Sequence, residues 1–322
     1  MIPLSSMSPI IHVFLFLLLL PGTTTSSFTP LMEAAQLGNV NGIESEHLLY
    51  VGEVDEELMT ALTYATFNNN ELTSTIIVNM LIQAGEDMNH ADKNGYTPLL
   101  WAAQNDNLGA AKALVAAGAN VNPRSTEQKL TPLLSAVASG HKEMIKYLVL
   151  DAKVNLNAKT VKHITALISA VSGGDKNLDL VQMLLNHGAN ADAKTIDLGI
   201  ASLHLAAQEG HYKLVGALLK GGATVDIQNN MLATPLMMAV LKNHSKIVGL
   251  LLAEGADPSA SIRVDDDVDE DVDEDEEADD HDYDHEDEDN SPKSYQTITP
   301  ITMAASAGHR EISDLLDRYM DL

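Results

Sequence analysis

The chain has 322 residues, of which 45% are apolar and only 4% are aromatic, so it can bury a large core made mainly of Ala, Leu, Val and Met side chains. Its formal charge of −27, from 46 acidic and 19 basic residues, argues against a nucleic-acid partner, because phosphate binding needs clustered Lys and Arg. The absence of cysteine excludes disulfides, thiol catalysis and cysteine-ligated metal centres.

The N-terminal segment is typical of a secretory signal. Ile10–Leu20 is apolar except for His12, and Pro21-Gly22 then leads into a run of small residues. These 11 residues are too few to span a bilayer, which takes about 20. We therefore predict a signal peptide over residues 1–27, no stable membrane span and a secreted protein. A signal peptide usually has basic residues before its apolar segment, but no Lys or Arg precedes Ile10. The alternatives are therefore an uncleaved anchor, a misassigned start, a plastid presequence and a cytoplasmic location.

A seven-residue pattern recurs along the rest of the chain. Its clearest copies are TPLLWAA from Thr97, TPLLSAV from Thr131 and TPLMMAV from Thr234. Weaker copies begin at Thr29, Thr60, Thr165, Ala201 and Thr299. The starts lie 31 to 37 residues apart, except for a last interval of 65, which equals one period near 33 plus an insertion.

Each copy of the pattern predicts the start of a helix. The threonine can accept a hydrogen bond from the free amides of the first turn, and the following proline has no amide to leave unpaired. Leu99, Ala102 and Ala103 share one helix face, where alanines let neighbouring helices approach closely. A second helix should follow and end at a glycine in the left-handed conformation, as at Gly118.

The pattern resembles the signature of the ankyrin-repeat family. The segment ASLHLAA, which begins at Ala201, is similar to the family's T-P-L-H-x-A-A. The second helix of an ankyrin repeat is matched by the segment that begins at Gly210-His211 and ends at the glycine exit before Ala223. The resemblance implies an all-α ankyrin-repeat solenoid of stacked helix-turn-helix units with hairpin fingers. We expect seven repeats over residues 28–262, the first two degenerate, and a terminal repeat over residues 295–322.

The histidines follow the repeat and are interpreted as structural. Four occupy the turn before a second helix, one lies in the signature and one precedes a glycine exit: His141, His211, His244, His309, His204 and His187. No H-E-x-x-H or G-x-S-x-G motif and no phosphate-binding glycine loop occurs. We therefore predict that the protein is not an enzyme, and we assign it no catalytic residue, cofactor or metal.

An acidic insertion, assigned to residues 263–294, interrupts the array before the last repeat. Nineteen carboxylates lie between Asp265 and Asp289, and their repulsion predicts an extended, disordered segment. Because it lacks glycine, it cannot be an EF-hand calcium loop. The insertion has four alternative interpretations: a solvated loop, a docking segment for a basic protein, weak calcium buffering, and a divalent-metal site at His281 and His285.

The resemblance implies a protein-binding surface on the concave side, formed by finger tips and the exposed ends of the first helices. Most signatures are directly preceded by an apolar residue, and these residues form an apolar ladder: Tyr96, Leu130, Ile164, Ile200, Ala233 and Ile298. The ladder would be explained either by packing between neighbouring fingers or by an exposed apolar stripe that contacts the partner. Trp101 is expected to be partly buried in the stack. The predicted partner-binding residues are Lys93, Asn94, Tyr96, Gln104, Asn105, Leu130, Lys162, Ile164, Leu198, Ile200 and Met231.

Two functions are consistent with this sequence. The first is a protein-protein interaction scaffold of unnamed partner, and the second is a secretory-pathway acidic sink for calcium or basic proteins carried on the solenoid. Entry into the secretory pathway would expose the sequon Asn243-His244-Ser245 to glycosylation at Asn243, in the turn between two helices.

Overall fold

The structure, a computed structural model, describes residues 28–43, 47–265 and 295–320. The chain divides into two compact units, Met1–Asn120 (unit 1) and Val121–Leu322 (unit 2), which are treated separately below. The signal-peptide prediction, most of the acidic insertion and the metal site predicted at His281 and His285 lie outside the described residues.

Unit 1 contains three repeats whose first helices follow the predicted starts. Its helices are α1 (Pro30–Leu37), α2 (Ala61–Ala65), α3 (Glu71–Gln83), α4 (Pro98–Gln104) and α5 (Leu108–Ala116). Helix α2 packs against α1 and α4, and α3 packs against α5. The first helices and the second helices therefore form two rows within this unit.

Unit 2 continues the same arrangement through five repeats. Its elements are α6 (Pro132–Ser139), α7 (Lys142–Leu150), α8 (Ala166–Ser172), α9 (Leu178–Asn186), α10 (Ser202–Gln208), α11 (Tyr212–Lys220), α12 (Pro235–Leu241), α13 (Ser245–Ala253), β1 (Ile262–Asp265), β2 (Tyr295–Ile298), α14 (Pro300–Ser306) and α15 (Arg310–Met320). The first helices α6, α8, α10, α12 and α14 pack in sequence order, and the second helices α9, α11, α13 and α15 form a parallel row. The predicted adjacency of the repeats beginning at Thr131 and Thr165 is confirmed.

All eight predicted starts are the N-cap residues of first helices. In seven of them the threonine hydroxyl accepts from the amide three residues later, as at Thr131, where the Leu134 N to Oγ1 distance is 3.3 Å. Ala201 has no such oxygen. The predicted glycine exits are also confirmed, since Gly118 and its counterparts have φ between 89° and 96°.

The second helix of the first repeat is absent, which corrects the prediction of a complete helical pair from Thr29. Among the described residues, α1 is followed only by short 3₁₀ segments at Val40–Gly42 and His47–Tyr50. Gly42 lies where that helix would run, and glycine destabilises a helix interior.

Strands β1 and β2 extend the finger before α14 into an antiparallel ribbon, with Ile262 opposite Ile298 and Asp265 opposite Tyr295. Residues 263–265, which the sequence analysis assigned to the insertion, therefore belong to a paired strand. The ribbon contains β-branched residues that favour strands, such as Ile262 and Ile298.

Side chains of Asn and Asp link successive repeats near the glycine exits. In unit 2, an Asx side chain in one repeat accepts from a backbone amide of the next repeat, in the pairs Asn122–Asn155, Asn157–Asn190, Asp192–Thr224 and Asp226–Asp257. The donor–acceptor distances are 2.7 to 3.1 Å. This ladder fixes the spacing of neighbouring repeats, and with it the spacing of their fingers.

Candidate protein-binding site

Four fingers of unit 2, meaning hairpins between one second helix and the next first helix, are each closed by one recurring pair of residues. In each pair, the later residue directly precedes the N-cap of a first helix, and the earlier residue is a Ser, Thr or Asn four or five positions before it. The amide of the later residue donates to the side chain of the earlier one. The carbonyl of the later residue accepts from the amide of the earlier one. The pairs are Ser125–Leu130, Thr160–Ile164, Thr195–Ile200 and Asn229–Ala233, with donor–acceptor distances of 2.9 to 3.1 Å. The base of each finger is therefore fixed.

The apolar ladder predicted from the sequence coincides with these closing residues. Leu130, Ile164 and Ile200 are half-buried, and Ala233 is buried. Their backbone groups are used to close the finger, and their side chains are partly covered. This position favours the finger-packing interpretation over an exposed stripe.

The tips of the fingers, in contrast, are joined to one another by their backbones. Val161 donates its amide to the Gln128 carbonyl at 3.2 Å, and Ile196 donates to the Lys162 carbonyl at 3.2 Å. The amide of Asn230 donates to the Leu198 carbonyl at 3.0 Å. The tips of four successive fingers are thus held side by side.

Exposed apolar side chains follow these tip contacts. Five large side chains are between 43% and 63% exposed: Val161, Ile196, Leu198, Met231 and Leu232. Together with the exposed Lys162, they lie on tips that are hydrogen-bonded to one another, and we call these six residues the finger-tip stripe. Exposed apolar groups that lie side by side, unlike scattered ones, mark interaction sites.

The structure brings part of the predicted binding set onto this stripe. Lys162, Leu198 and Met231 lie on it. Leu130, Ile164 and Ile200 lie at the bases of the same fingers. The sequence analysis missed Ile196 and Leu232, although apolar residues beside Asp197 and in the polar turn before Ala233 were a signal that could have found them.

The other predicted contacts belong to unit 1. Lys93 is exposed and pairs with Glu57 at 3.5 Å, and its amide also donates to the Glu57 carbonyl at 3.0 Å. Asn94 is exposed, and Gln104 and Asn105 are half-buried. This surface is polar and its lysine is already paired with a carboxylate.

Tyr96 packs on Trp101, with ring centroids 4.8 Å apart. Trp101 is buried, at 5% exposure, and its Nε1 donates to Asp92 Oδ2 at 2.9 Å. Burial raises the pKa of Asp92, although hydrogen bonds from Tyr96 and Trp101 oppose the shift. These contacts give Trp101 and Tyr96 a structural role in unit 1.

Three histidines of unit 2 bond to backbone carbonyls of neighbouring repeats, as a structural role requires. His244 Nε2 lies 2.9 Å from the Gln208 carbonyl, and His309 Nδ1 lies 2.9 Å from the Val240 carbonyl. The fully buried His204 bonds to the Ala233 carbonyl at 3.0 Å. Over the described ranges, no cluster of three or more His, Asp or Glu side chains is arranged to hold a metal ion.

The predicted glycosylation residue Asn243 is exposed in the turn between α12 and α13, with a left-handed φ of 59°. Ser245, the third residue of the sequon, is the first residue of α13. Within the part of the chain that the structure describes, none of the helices has the length and apolar character that a membrane crossing needs.

The sequence matches the profile described as ankyrin repeats in three copies, over residues 71–160, 150–229 and 167–262. Together these copies cover more than half of the chain. The chain belongs to the ankyrin-repeat family. Its membership confirms the fold class predicted from the TPLH-like signature.

Several curated proteins are similar to the ankyrin part of this chain. The ankyrin repeat and KH domain-containing protein mask-1 of Caenorhabditis elegans is 33% identical over 197 residues, or 61% of this chain and 6% of that protein. Human neurogenic locus notch homolog protein 1 is 29% identical over 66% of the chain and 7% of its own length. The E3 ubiquitin-protein ligase KEG of Arabidopsis thaliana is 29% identical over 55% of the chain and 11% of its own length. The chain therefore spans only a small part of these relatives.

Solved ankyrin domains share the fold. The ankyrin repeat domain of Bcl-3, a member of the IkappaB protein family, is 26% identical, with a TM-score of 0.61 over 70% of this chain and 98% of that domain. The human ASB11 ankyrin repeat domain is 24% identical, with a TM-score of 0.56 over 72% of this chain and 100% of that domain.

Proposed function

We propose that this protein is a non-catalytic protein-protein interaction scaffold and that its partner binds the finger-tip stripe of unit 2. The observation that carries the proposal is a row of exposed apolar side chains on tips that are hydrogen-bonded to one another. Ankyrin repeats are in general protein-interaction modules, and a fixed surface binds with little loss of conformational entropy. The partner is a protein that covers Leu198 and Met231.

The absence of catalysis is part of this proposal. It is supported by the structural contacts of the repeat histidines, which bond to backbone carbonyls rather than to one another. KEG is named a ligase, but the segment similar to this chain is 11% of that protein.

The test compares two double variants with the wild-type chain by quantitative proximity labelling in the native cells. Leu198→Ser with Met231→Ser removes the apolar groups of the stripe. Leu150→Ser with Tyr212→Ser removes side chains of similar exposure, 45% and 48%, from the second helices α7 and α11. We expect the stripe variant to lose partners that the control retains. Equal partner sets for both variants would refute the proposal.

The alternative function, an acidic sink for calcium or basic proteins, depends on the insertion. Replacing residues 266–294 by a Gly-Ser linker of equal length should leave partner binding intact if the stripe is the binding site. Loss of all partners in that chain, with the stripe unchanged, would favour the sink.

We further propose that the chain enters the secretory pathway and carries a glycan on Asn243. The exposed turn supports the proposal, because a glycan there can project from the fold. Treatment with a peptide N-glycosidase should increase the gel mobility of the wild-type chain and of Ser245→Thr, which keeps the sequon. It should not shift Ser245→Ala. A wild-type chain without a mobility shift would contradict the proposal.

A further inference from the structure

One finger of unit 2 concentrates lysines in a strongly acidic protein. Acidic residues outnumber basic ones 46 to 19 in the whole chain. The finger between α7 and α8 has three lysines, Lys153, Lys159 and Lys162, against one carboxylate, Asp151, which directly follows α7. The preceding finger has Arg124 and Lys129 with Glu127, and the following finger has Lys194 with Asp192 and Asp197.

Hydrogen bonds between fingers hold two of these cations beside the stripe. The Arg124 guanidinium donates to the Lys159 carbonyl at 2.6 Å, and the Lys194 ammonium donates to the Gln228 carbonyl at 2.6 Å. These contacts bridge neighbouring fingers, and among the described residues neither cation forms an ion pair. In the described part of the chain, Lys129, Lys159 and Lys162 form no ion pair either.

Positive charge and apolar surface are adjacent in the finger-tip stripe. The Lys162 carbonyl accepts from Ile196, whose side chain is 52% exposed, and Leu198 follows at 54% exposure. A ligand that covers this surface must present apolar groups to the tips and anionic groups to the lysines. Complementary charge speeds association and discriminates against basic partners.

We propose that the finger-tip stripe binds an acidic segment of a partner protein in which carboxylates alternate with apolar side chains. This inference rests on the proposed function and specifies the chemistry of the partner. The apolar residues of the segment contact Ile196, Leu198 and Met231, and its carboxylates face Lys159 and Lys162.

The test measures the binding of a fluorescein-labelled peptide of repeated Asp-Leu-Glu to the full chain by fluorescence anisotropy. Two control peptides have Lys in place of the acids or Ser in place of leucine. We expect the Asp-Leu-Glu peptide to bind best, and its affinity to fall as ionic strength rises. Equal binding of the Lys peptide to a chain in which a Gly-Ser linker replaces residues 266–294 would overturn the charge argument, and equal binding of the Ser peptide would overturn the apolar argument.

A matched pair of charge reversals locates the site. Lys162→Glu should weaken peptide binding roughly threefold or more, since it replaces an attraction by a repulsion. Lys213→Glu makes the same change of net charge on the exposed surface of α11 and should leave binding unchanged. Because both lysines are exposed, folding is retained in both variants. Equal weakening by the two would show a general charge effect and refute the site.

Two other occupants are outcomes of the same assay. Displacement of the peptide by single-stranded oligonucleotide at lower concentration than by unlabelled peptide would assign the surface to nucleic acid and overturn the proposal. Binding that is seen only after residues 266–294 are replaced by a Gly-Ser linker would assign the surface to the acidic segment of the chain itself. That result would also contradict the proposal that the stripe binds a segment of another protein.

The inference and the proposed function fail in different ways. If the stripe variant loses its cellular partners but the acidic peptide does not bind, the partner chemistry is wrong and the scaffold proposal stands. If the variant keeps every partner, the proposed function itself is wrong, whatever the peptide does.

Discussion

The side chain of His204 ties two repeats of unit 2 together. Its Nδ1 accepts from the Ala201 amide at 3.2 Å, and its Nε2 donates to the Ala233 carbonyl, in the finger of the next repeat. The bond to Nδ1 satisfies the backbone amide of the N-cap residue, as the third helical residue does in a capping box, although Ala201 has no hydroxyl to return the bond. The bond to Nδ1 requires the neutral ring, because protonation would place a hydrogen on Nδ1, whereas Nε2 donates in both protonation states.

Unit 2 should lose stability on mild acidification because of His204. Burial lowers the pKa of His204, and the nearby charge of Lys194 acts in the same direction, so the unfolded chain binds the proton more readily. The contribution of His204 is therefore complete above about pH 6.5 and is lost as the pH falls below that value, through the folded-state pKa. The change should reach up to about 1 kcal/mol between pH 6.5 and 5.5.

The check is urea unfolding at pH 7.5 and 5.5. His204→Leu, which introduces the residue found at Leu100 and Leu134, should cost about 1–3 kcal/mol at pH 7.5 but reduce the loss on acidification. The exposed control His187→Gln should keep the wild-type loss. If His204→Leu shows the full wild-type loss, His204 does not titrate as described.

Glu86 is a residue whose role could not be inferred from the sequence. It occupies the position after a glycine exit where other repeats have alanine, as at Ala119 and Ala189. The Glu86 side chain is buried and its Oε1 accepts from the Leu62 amide at 3.0 Å, at the start of a helix without proline. Burial raises the pKa of Glu86. A carboxylate in this position had no counterpart in the repeat pattern.

The helices of each unit approach closely because the contact positions are small. Ala103 in α4 has no exposed surface. Ala103→Leu should overpack this contact and lower the free energy of unfolding by roughly 1–3 kcal/mol. Ala116→Leu, at the exposed end of α5, should change it by less than about 0.5 kcal/mol. Equal melting temperatures for the two variants would show that Ala103 does not face a packed helix.

Asn107 performs in unit 1 the linking role that histidine has in later repeats. Its Nδ2 donates to the Thr66 and Asn68 carbonyls and to the Ser74 hydroxyl at 2.7 to 3.2 Å, and its Oδ1 caps the Ala110 amide. Asn107 is buried, so its loss would leave polar groups without partners.

Asn107→Ala should therefore destabilise unit 1 by about 2–4 kcal/mol. The exposed Asn69→Ala, in the same region of the chain, provides the control and should have an effect within about 0.5 kcal/mol. Denaturant unfolding of the two variants measures the difference. A small effect of Asn107→Ala would mean that water or another side chain replaces its hydrogen bonds.

At the scale of the whole molecule, the repeat pattern was sufficient to predict the helix starts but not every exposed apolar residue of the finger-tip stripe. The starts depend on local chemistry, namely a capping hydroxyl and a following proline, which a short motif records. The positions of the tip residues depend on finger length. The two closing residues are four positions apart in Thr160–Ile164 and five positions apart in Thr195–Ile200. A fixed spacing from the signature therefore did not identify Ile196 as a tip residue.

The most direct test of the scaffold account is photo-crosslinking in the native cells. A photoreactive phenylalanine analogue replaces Met231, on the finger-tip stripe, or Leu150, at the end of the second helix α7. Their side chains are 63% and 45% exposed. The account predicts a covalent complex with a partner protein from position 231 and none from position 150. A complex from position 150 alone, or equal complexes from both positions, would contradict it.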